Sequence, residues 1–253
     1  MDQHFNNTLI VGKQHISLPS CNSTNDLALE MAANQLLFDG AIISTEHQTK
    51  GRGQRGNTWL SEAGQNLTCS FYFKPGFLAI DQQFDLNRVV SLAIKEAIHS
   101  FSKELQVNIK WPNDILIGDK KVAGILIENT IGGKMINQSI IGIGLNINQV
   151  EGLMPKATSL RREIGEELDR NAFLGKLAQQ LEKYYFTLKR GEREPLIKAY
   201  QASLFLLNKW APYEDEAGAF KGMIKAVADD GTLDILKENG EIAQYQFKEV
   251  IYL

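Results

Sequence analysis

Cysteine is scarce, with Cys21 and Cys69 the two in 253 residues. A pair makes no disulfide framework and has no metal-ligand spacing, so both read as reduced thiols of a cytoplasmic protein; a bridge between them is the alternative. Long apolar runs are lacking, and the first residues do not have the basic-then-apolar layout of a signal peptide, so no membrane partner is expected. Basic excess is lacking as well: 27 Lys and Arg against 30 Asp and Glu leave a net charge of -3. That balance argues against broad affinity for nucleic acid or anionic lipid. Internal repeats and low-complexity stretches are also missing. The 43% of hydrophobic residues over this length can fill one large core and a second small one.

Glycine, by contrast, is concentrated. Between Thr45 and Asn57, Gly51, Gly53 and Gly56 are interleaved with Arg52, Gln54 and Arg55, and Trp59 comes two residues later. Such a loop lets backbone N–H groups approach an anion while guanidinium groups neutralise it, as a phosphate requires. Gly51 to Gly56 also reads as GxGxxG, but that fingerprint counts only where a strand enters the loop and a helix leaves it. A strand is expected at 41–45. Beyond the loop, however, the pattern gives a turn at 61–66 and a second strand at 67–73, which disfavours a Rossmann dehydrogenase.

Ser23-Thr-Asn-Asp26 has the layout of a helix start, with Leu27, Met31 and Leu36 at helical spacing behind it. A second helix is expected at 85–103 from its apolar stripe. Short strand-like runs at 107–111, 115–117, 122–128 and 138–147, separated by turns, predict hairpins and so an antiparallel or mixed sheet. Helices are expected at 171–190 and 195–206. Beyond these, strands at 219–228, 232–236, 241–247 and 250–253 suggest a small barrel, dividing the chain into 1–206 and 207–253.

Four clusters could carry chemistry. Ser23, Thr24 and Asn25 either cap a helix and do no more, or aim polar groups at a ligand. The glycine–arginine loop is a solvated turn or a phosphate cradle. In Lys110-Trp-Pro-Asn-Asp114, Pro112 forces Trp111 into an extended conformation, and Asn113 and Asp114 favour a turn. That segment is an ordinary hairpin with Trp111 in the core, or it gathers Lys110, Asp114 and Lys121 at one mouth of the sheet to suit a nucleotide with its metal. Finally, Gly124 on one strand and Gly142 and Gly144 on another bare the sheet, either for a flat apolar ligand or for tight packing by a helix.

Five motifs stand in order: Ser23-Thr-Asn25, Gln48-x-x-Gly-Arg-Gly-Gln-Arg-Gly-Asn-x-Trp59, Lys110-Trp-Pro-Asn-Asp114, Lys121-x-x-Gly-Ile-Leu126 and Gly142-x-Gly-Leu-Asn146. On these the chain resembles the biotin protein ligases, that is, biotin–[acetyl-CoA-carboxylase] ligases, from Ser23 to its C-terminus. The resemblance implies an α+β fold: a class II tRNA synthetase-like catalytic domain, a mixed sheet with helices, plus a small C-terminal SH3-like β-barrel. It implies ATP-dependent activation of biotin as biotinyl-5′-AMP, with Mg²⁺, and transfer of biotin to a lysine of a biotin carboxyl carrier protein.

Carried over by motif, Ser23, Thr24, Asn25 and Gln48 would hold the biotin ring, and Gly51, Arg52, Gly53 and Gln54 would fold over it. Gly124, Leu126, Gly142 and Gly144 would form its apolar bed. Lys121 would contact the biotin carboxylate and the α-phosphate. Arg52, Arg55, Trp59, Lys110, Asn113, Lys121 and Asn146 would bind ATP and the adenylate, with Lys121, Arg52 and Asp114 serving the chemistry. No protein ligand for a metal is assigned. The family's loop most often reads GRGRxGR, whereas Gln54 and Asn57 stand here at the second and third arginine positions. Only 22 residues precede Ser23, too few for the winged-helix DNA-binding domain of some members, so no nucleic-acid partner is expected. A homodimer is compatible with the family's habits. The competing readings are a lipoate or octanoate protein ligase and a non-enzymatic biotin-sensing regulator.

Overall fold

The computed structural model describes residues 3–253, the side chains of Gln3 and Arg55 excepted. The larger sheet contains β1 (His15–Leu18), β2 (Ala41–Thr45), β3 (Leu67–Phe73), β4 (Val107–Lys110), β5 (Asp114–Ile117), β6 (Lys120–Gly132) and β7 (Met135–Leu145). Their order is β1-β2-β3-β7-β6-β5-β4. Only β1 and β2 run parallel among these pairs, so the sheet is mixed, as expected from the run of hairpins. The helices are α1 (Thr24–Ala33), α2 (Phe84–His99), α3 (Leu160–Ile164), α4 (Arg170–Lys189) and α5 (Arg193–Ala202).

Strand alternation sorts the larger sheet into two unlike faces. Ile42, Phe71, Ile125, Ile141 and Ile143 join Val89, Ile94, Phe173 and Leu177 of α2 and α4 in the main core. On the opposite face α1 packs Ala28 and Ala32 over Ala41, Ile43, Tyr72 and Ile140 and covers only part of the sheet. Register makes the uncovered part legible. One row crosses six strands as Thr45, Thr68, Gly144, Gly124, Asp114 and Lys110, and the next runs Ile43, Ser70, Gly142 and Leu126. The first row passes from hydroxyls, through two glycines without side chains, to charge.

The tail folds as β8 (Trp210–Asp215), β9 (Gly218–Val227), β10 (Leu233–Lys237), β11 (Ile242–Tyr245) and β12 (Ile251–Tyr252), a five-stranded antiparallel sheet in the order β11-β10-β9-β8-β12. It holds five strands where four were expected; β8, β1 and α3 were not foreseen, and α2 stops four residues short of 103. Two buried groups bolt this sheet to α2 and β4. Arg88, fully buried on α2, pairs with Asp85 at 2.6 Å and donates to the backbone oxygen of Ala228 at 2.5 Å. Trp111 is a core residue whose indole N–H donates to the Gly231 oxygen at 2.8 Å. The hairpin reading of the Lys110–Asp114 segment therefore holds for Trp111.

At the N-terminal side, Glu182 of α4 accepts backbone N–H bonds from Leu9, Ile10 and Val11 at 2.7, 2.7 and 3.0 Å. A buried carboxylate with that set of donors fixes a segment that has no strand or helix of its own. Glu182→Gln, which keeps the shape and loses the charge, should lower unfolding free energy by about 1–2 kcal/mol in a urea melt. An unchanged midpoint and slope would show that the segment adds nothing to stability.

Candidate functional site

Ser23 sits at the N-cap of α1, its hydroxyl accepting from the Asp26 N–H at 3.4 Å. The cap also aims the next two residues at the sheet. Gln48 Oε1 accepts from both Thr24 N (2.7 Å) and Thr24 Oγ1 (3.1 Å). Ser70 Oγ lies 2.7 Å from Thr24 Oγ1 and 2.6 Å from Asn25 Oδ1. Asn25 Nδ2 donates to Glu128 Oε2 at 2.7 Å and to the Leu126 oxygen at 3.3 Å. Ser23, Thr24, Asn25 and Ser70 are buried, so a cap alone does not account for them: the polar cluster forms the end wall of a cavity of about 230 Å³.

The cavity is lined by Ser23, Thr24, Asn25, Gln48, Arg52, Gly53, Gln54, Trp59, Asn113, Asp114, Lys121, Gly124, Leu126, Gly142 and Gly144. Most residues picked from sequence thus converge on one place. The two glycines of β7 differ in what they admit. A Cβ on Gly142 would lie 2.4 Å from Asn25 Oδ1, and one on Gly144 would lie 2.3 Å from Trp59 Cε2. At Gly142 the bared strand admits Asn25 of α1, so the helix-packing reading holds there, whereas at Gly144 it admits Trp59 from the glycine–arginine loop. Gly51 has a similar cause: a Cβ there would meet the Trp59 carbonyl oxygen at 2.3 Å, so it serves the hairpin Gly51–Trp59 and faces its own loop. A short 3-10 turn at Gln54–Gly56 tips that hairpin. The side chain of Arg55 lies outside the described residues.

Lys121 reaches the cavity through an irregularity. Counting back from Gly124 by twos puts Val122, not Lys121, on the site face. The register of β6 against β5 slips by one residue between Ile115 and Leu116, and this bulge turns Val122 into the core and Lys121 onto the site face. Lys121 Nζ then pairs with Asp114 Oδ1 at 2.6 Å and stands 5.7 Å from the Trp59 ring centre. Lys110 lies outside the cavity lining, with its ammonium 4.6 Å from the ring centre of Tyr252. Burial lowers its pKa, Asp114 opposes that, and Lys156 and Lys121 add to it. Asn113 donates to the Ile125 oxygen at 2.7 Å and is held by the strand. Asn146, donating to the Thr158 oxygen at 2.9 Å, lines a second cavity of about 360 Å³ that shares Thr58, Trp59 and Lys121 with the first.

Sequence reasoning missed Ser70 and Thr68, whose strand was recognised but whose face was not, and Lys248, which enters the first cavity from the loop before β12. It also missed the two carboxylates on Arg52. Arg52 pairs with Glu128 at 2.7 Å and with Asp26 at 2.7 Å. Their signal lay in Asp26 closing the helix-start motif and in Glu128 two residues beyond Leu126. The free thiol of Cys69 is buried in the core and its pKa is pushed up by that burial. Among the described residues no helix is long and apolar enough to cross a membrane, and no group of three or more His, Cys, Asp or Glu side chains is gathered as for a metal ion.

A hydrogen-bonding end wall, an apolar floor, a lysine–aspartate pair and a second cavity sharing one indole wall suit an enzyme that joins a ring-bearing carboxylic acid to a nucleotide. Comparison with known proteins agrees. The chain belongs to the biotin/lipoate A/B protein ligase family, whose model matches residues 17–146. It is 30% identical to a biotin–[acetyl-CoA-carboxylase] ligase of Paracoccus denitrificans over 85% of this chain and 91% of that protein. It is 29% identical to a bifunctional ligase/repressor of Bacillus subtilis over 89% of this chain and 70% of that one. Among solved structures, a biotin protein ligase from Aquifex aeolicus in complex with biotin and ATP superposes with a TM-score of 0.79 at 26% identity, covering 95% of this chain and 100% of that one.

Proposed function

We propose that the protein is an ATP-dependent biotin protein ligase that makes biotinyl-5′-AMP and passes biotin to a lysine of a biotin carboxyl carrier protein. The observation that carries this reading is the cluster of buried Thr24, Asn25 and Ser70 with half-buried Gln48 at the end of the first cavity. A ureido ring offers one carbonyl and two N–H groups to such a wall. A dithiolane ring offers none, so it would gain no hydrogen bond from this wall and could only desolvate it. That difference separates biotin from lipoate within one family.

In this reading the biotin carboxylate lies toward Lys121 and attacks the α-phosphorus of ATP; the bond to pyrophosphate breaks and a mixed anhydride forms. Two anions must meet, and Lys121, held in place by Asp114, offsets their repulsion as charge develops. The adenine side is placed in the second cavity with Trp59 and Asn146, where the buried Trp59 Nε1 has no hydrogen-bond partner. The carrier lysine amine then attacks the acyl carbon and AMP leaves. Asp114, the carboxylate that lines the first cavity, would be the protein group nearest a Mg²⁺ brought in with the triphosphate, and such an ion would supply charge that offsets the pyrophosphate.

The division of the chain at residue 207, a homodimer, a cytoplasmic location and the lack of a nucleic-acid partner belong to the same proposal. The free thiols and net charge of -3 support the last two. Incubation of an apo carrier domain with ATP, Mg²⁺ and biotin should give a 1:1 biotin adduct by mass spectrometry. Transfer of lipoate or octanoate in place of biotin would overturn the assignment.

A further inference from the structure

We propose that Glu128, seconded by Asp26, is a positioning residue that keeps the glycine–arginine loop shut over the activated intermediate, and that Arg52 is the strut of this closure; the proposal rests on the ligase reading above. Arg52 Nη1 and Nη2 donate to the two oxygens of Glu128 at 3.0 and 2.7 Å, a bidentate pair, and Nη2 also lies 2.7 Å from Asp26 Oδ1. One guanidinium between two carboxylates is a local charge of about -1, which repels an incoming phosphate. Arg52 in this arrangement ties structure together and leaves the substrate anions to other cations.

The elements it ties are specific. The loop is a hairpin whose arms pair with each other, through Trp59 N to the Gly51 oxygen (3.0 Å) and Gly53 N to the Asn57 oxygen (2.7 Å). Arg52 joins that hairpin to the start of α1, through Asp26, and to β6, through Glu128. The same Glu128 oxygen that binds Nη2 also accepts from Asn25 Nδ2, and Asn25 Oδ1 accepts from Ser70. Asn25 belongs to the proposed ring pocket, so a ring bound to it acts on the carboxylate that holds the loop. Occupancy and closure are thereby coupled through one side chain. The side chains of Arg52, Asp26 and Glu128 are 38%, 51% and 28% exposed. A pair so open to water is of modest strength, which suits a loop that must release for substrate entry and AMP departure.

The two roles for Arg52 predict opposite signs. If Arg52 meets the phosphate directly, Glu128→Gln frees its charge and speeds biotin-dependent ATP–pyrophosphate exchange. If Glu128 is the latch, the same variant raises the share of labelled biotinyl-AMP that escapes to solvent relative to the share transferred when apo carrier is added. The expected rise in that ratio is about threefold, the scale of losing a partly exposed ion pair. Asp26→Asn, at an exposed helix start, should move the ratio in the same direction by less and keeps the test open if Glu128→Gln does not fold. The Glu128→Gln/Arg52→Gln double variant should be no leakier than Arg52→Gln alone. An unaltered ratio in both single variants, or faster exchange in Glu128→Gln, overturns the latch while leaving the ligase reading standing. Absence of biotin-dependent exchange in the unaltered protein overturns both.

Discussion

Replacing Lys121 with methionine will lower biotin-dependent ATP–pyrophosphate exchange by about a hundredfold or more, the scale on which one preorganised electrostatic contact acts in a water-poor site. Methionine keeps an unbranched apolar stem beside Gly124 and Trp59, where the lysine side chain now lies. The substitution therefore removes charge with little change in packing. It also strands Asp114, whose carboxylate would face two incoming anions without its partner 2.6 Å away. The double variant Lys121→Met/Asp114→Asn separates these effects. If the stranded carboxylate is at fault, the double variant regains exchange; if the missing cation is, it stays low, which is the expected result. Exchange within about tenfold of the unaltered protein in Lys121→Met would remove Lys121 from the chemical step.

The sequence disclosed where the site is more readily than how it is built. Ser23 to Asn25, Gly124, Gly142 and Gly144 converge because each lies in a motif whose local signal, a cap or a glycine within a strand, survives without knowledge of neighbours, whereas Gln48 was named only through the family resemblance. Three features needed those neighbours. Lys121 faces the site only because β6 bulges against β5, and a one-residue slip in register leaves no trace in a short apolar run. Asp85 and Arg88 sit within the apolar stripe of α2 and look like its solvated edge, yet both are buried because the second sheet closes over them. Strand β8 was hidden by Pro212 at its centre and by having just Ala211 and Tyr213 turned inward, too short an alternation to register beside a proline.

Gly144 offers the sharpest test of the site as built. A methyl group there would stand 2.3 Å from Trp59 Cε2 and 2.6 Å from Cζ2, well inside any tolerated contact. The neighbour on the adjacent strand, Gly124, is also bare, and its Cβ would already touch Trp59 Cζ3 at 3.3 Å. The indole therefore has to leave the sheet by about an ångström or more in Gly144→Ala. Trp59 is the wall shared by the two cavities, so its displacement shifts the partition between acid and nucleotide. Misplacement on that scale costs about a hundredfold in rate where two reactants must be held in line. Gly144→Ala should thus lose adenylate formation by about that factor while keeping its far-ultraviolet circular dichroism, because the core lies on the opposite face of β7. Tryptophan fluorescence gives a readout independent of activity: the Trp59 emission should move to longer wavelength as the ring loses its seat. If the variant keeps full activity and an unmoved emission, the ring does not depend on the bare strand, and the two cavities are not divided by Trp59. Trp59→Ala in the Gly144→Ala background completes the argument. With the indole removed, the added methyl has nothing to strike, so the double variant should lose no more activity in total than Trp59→Ala does by itself.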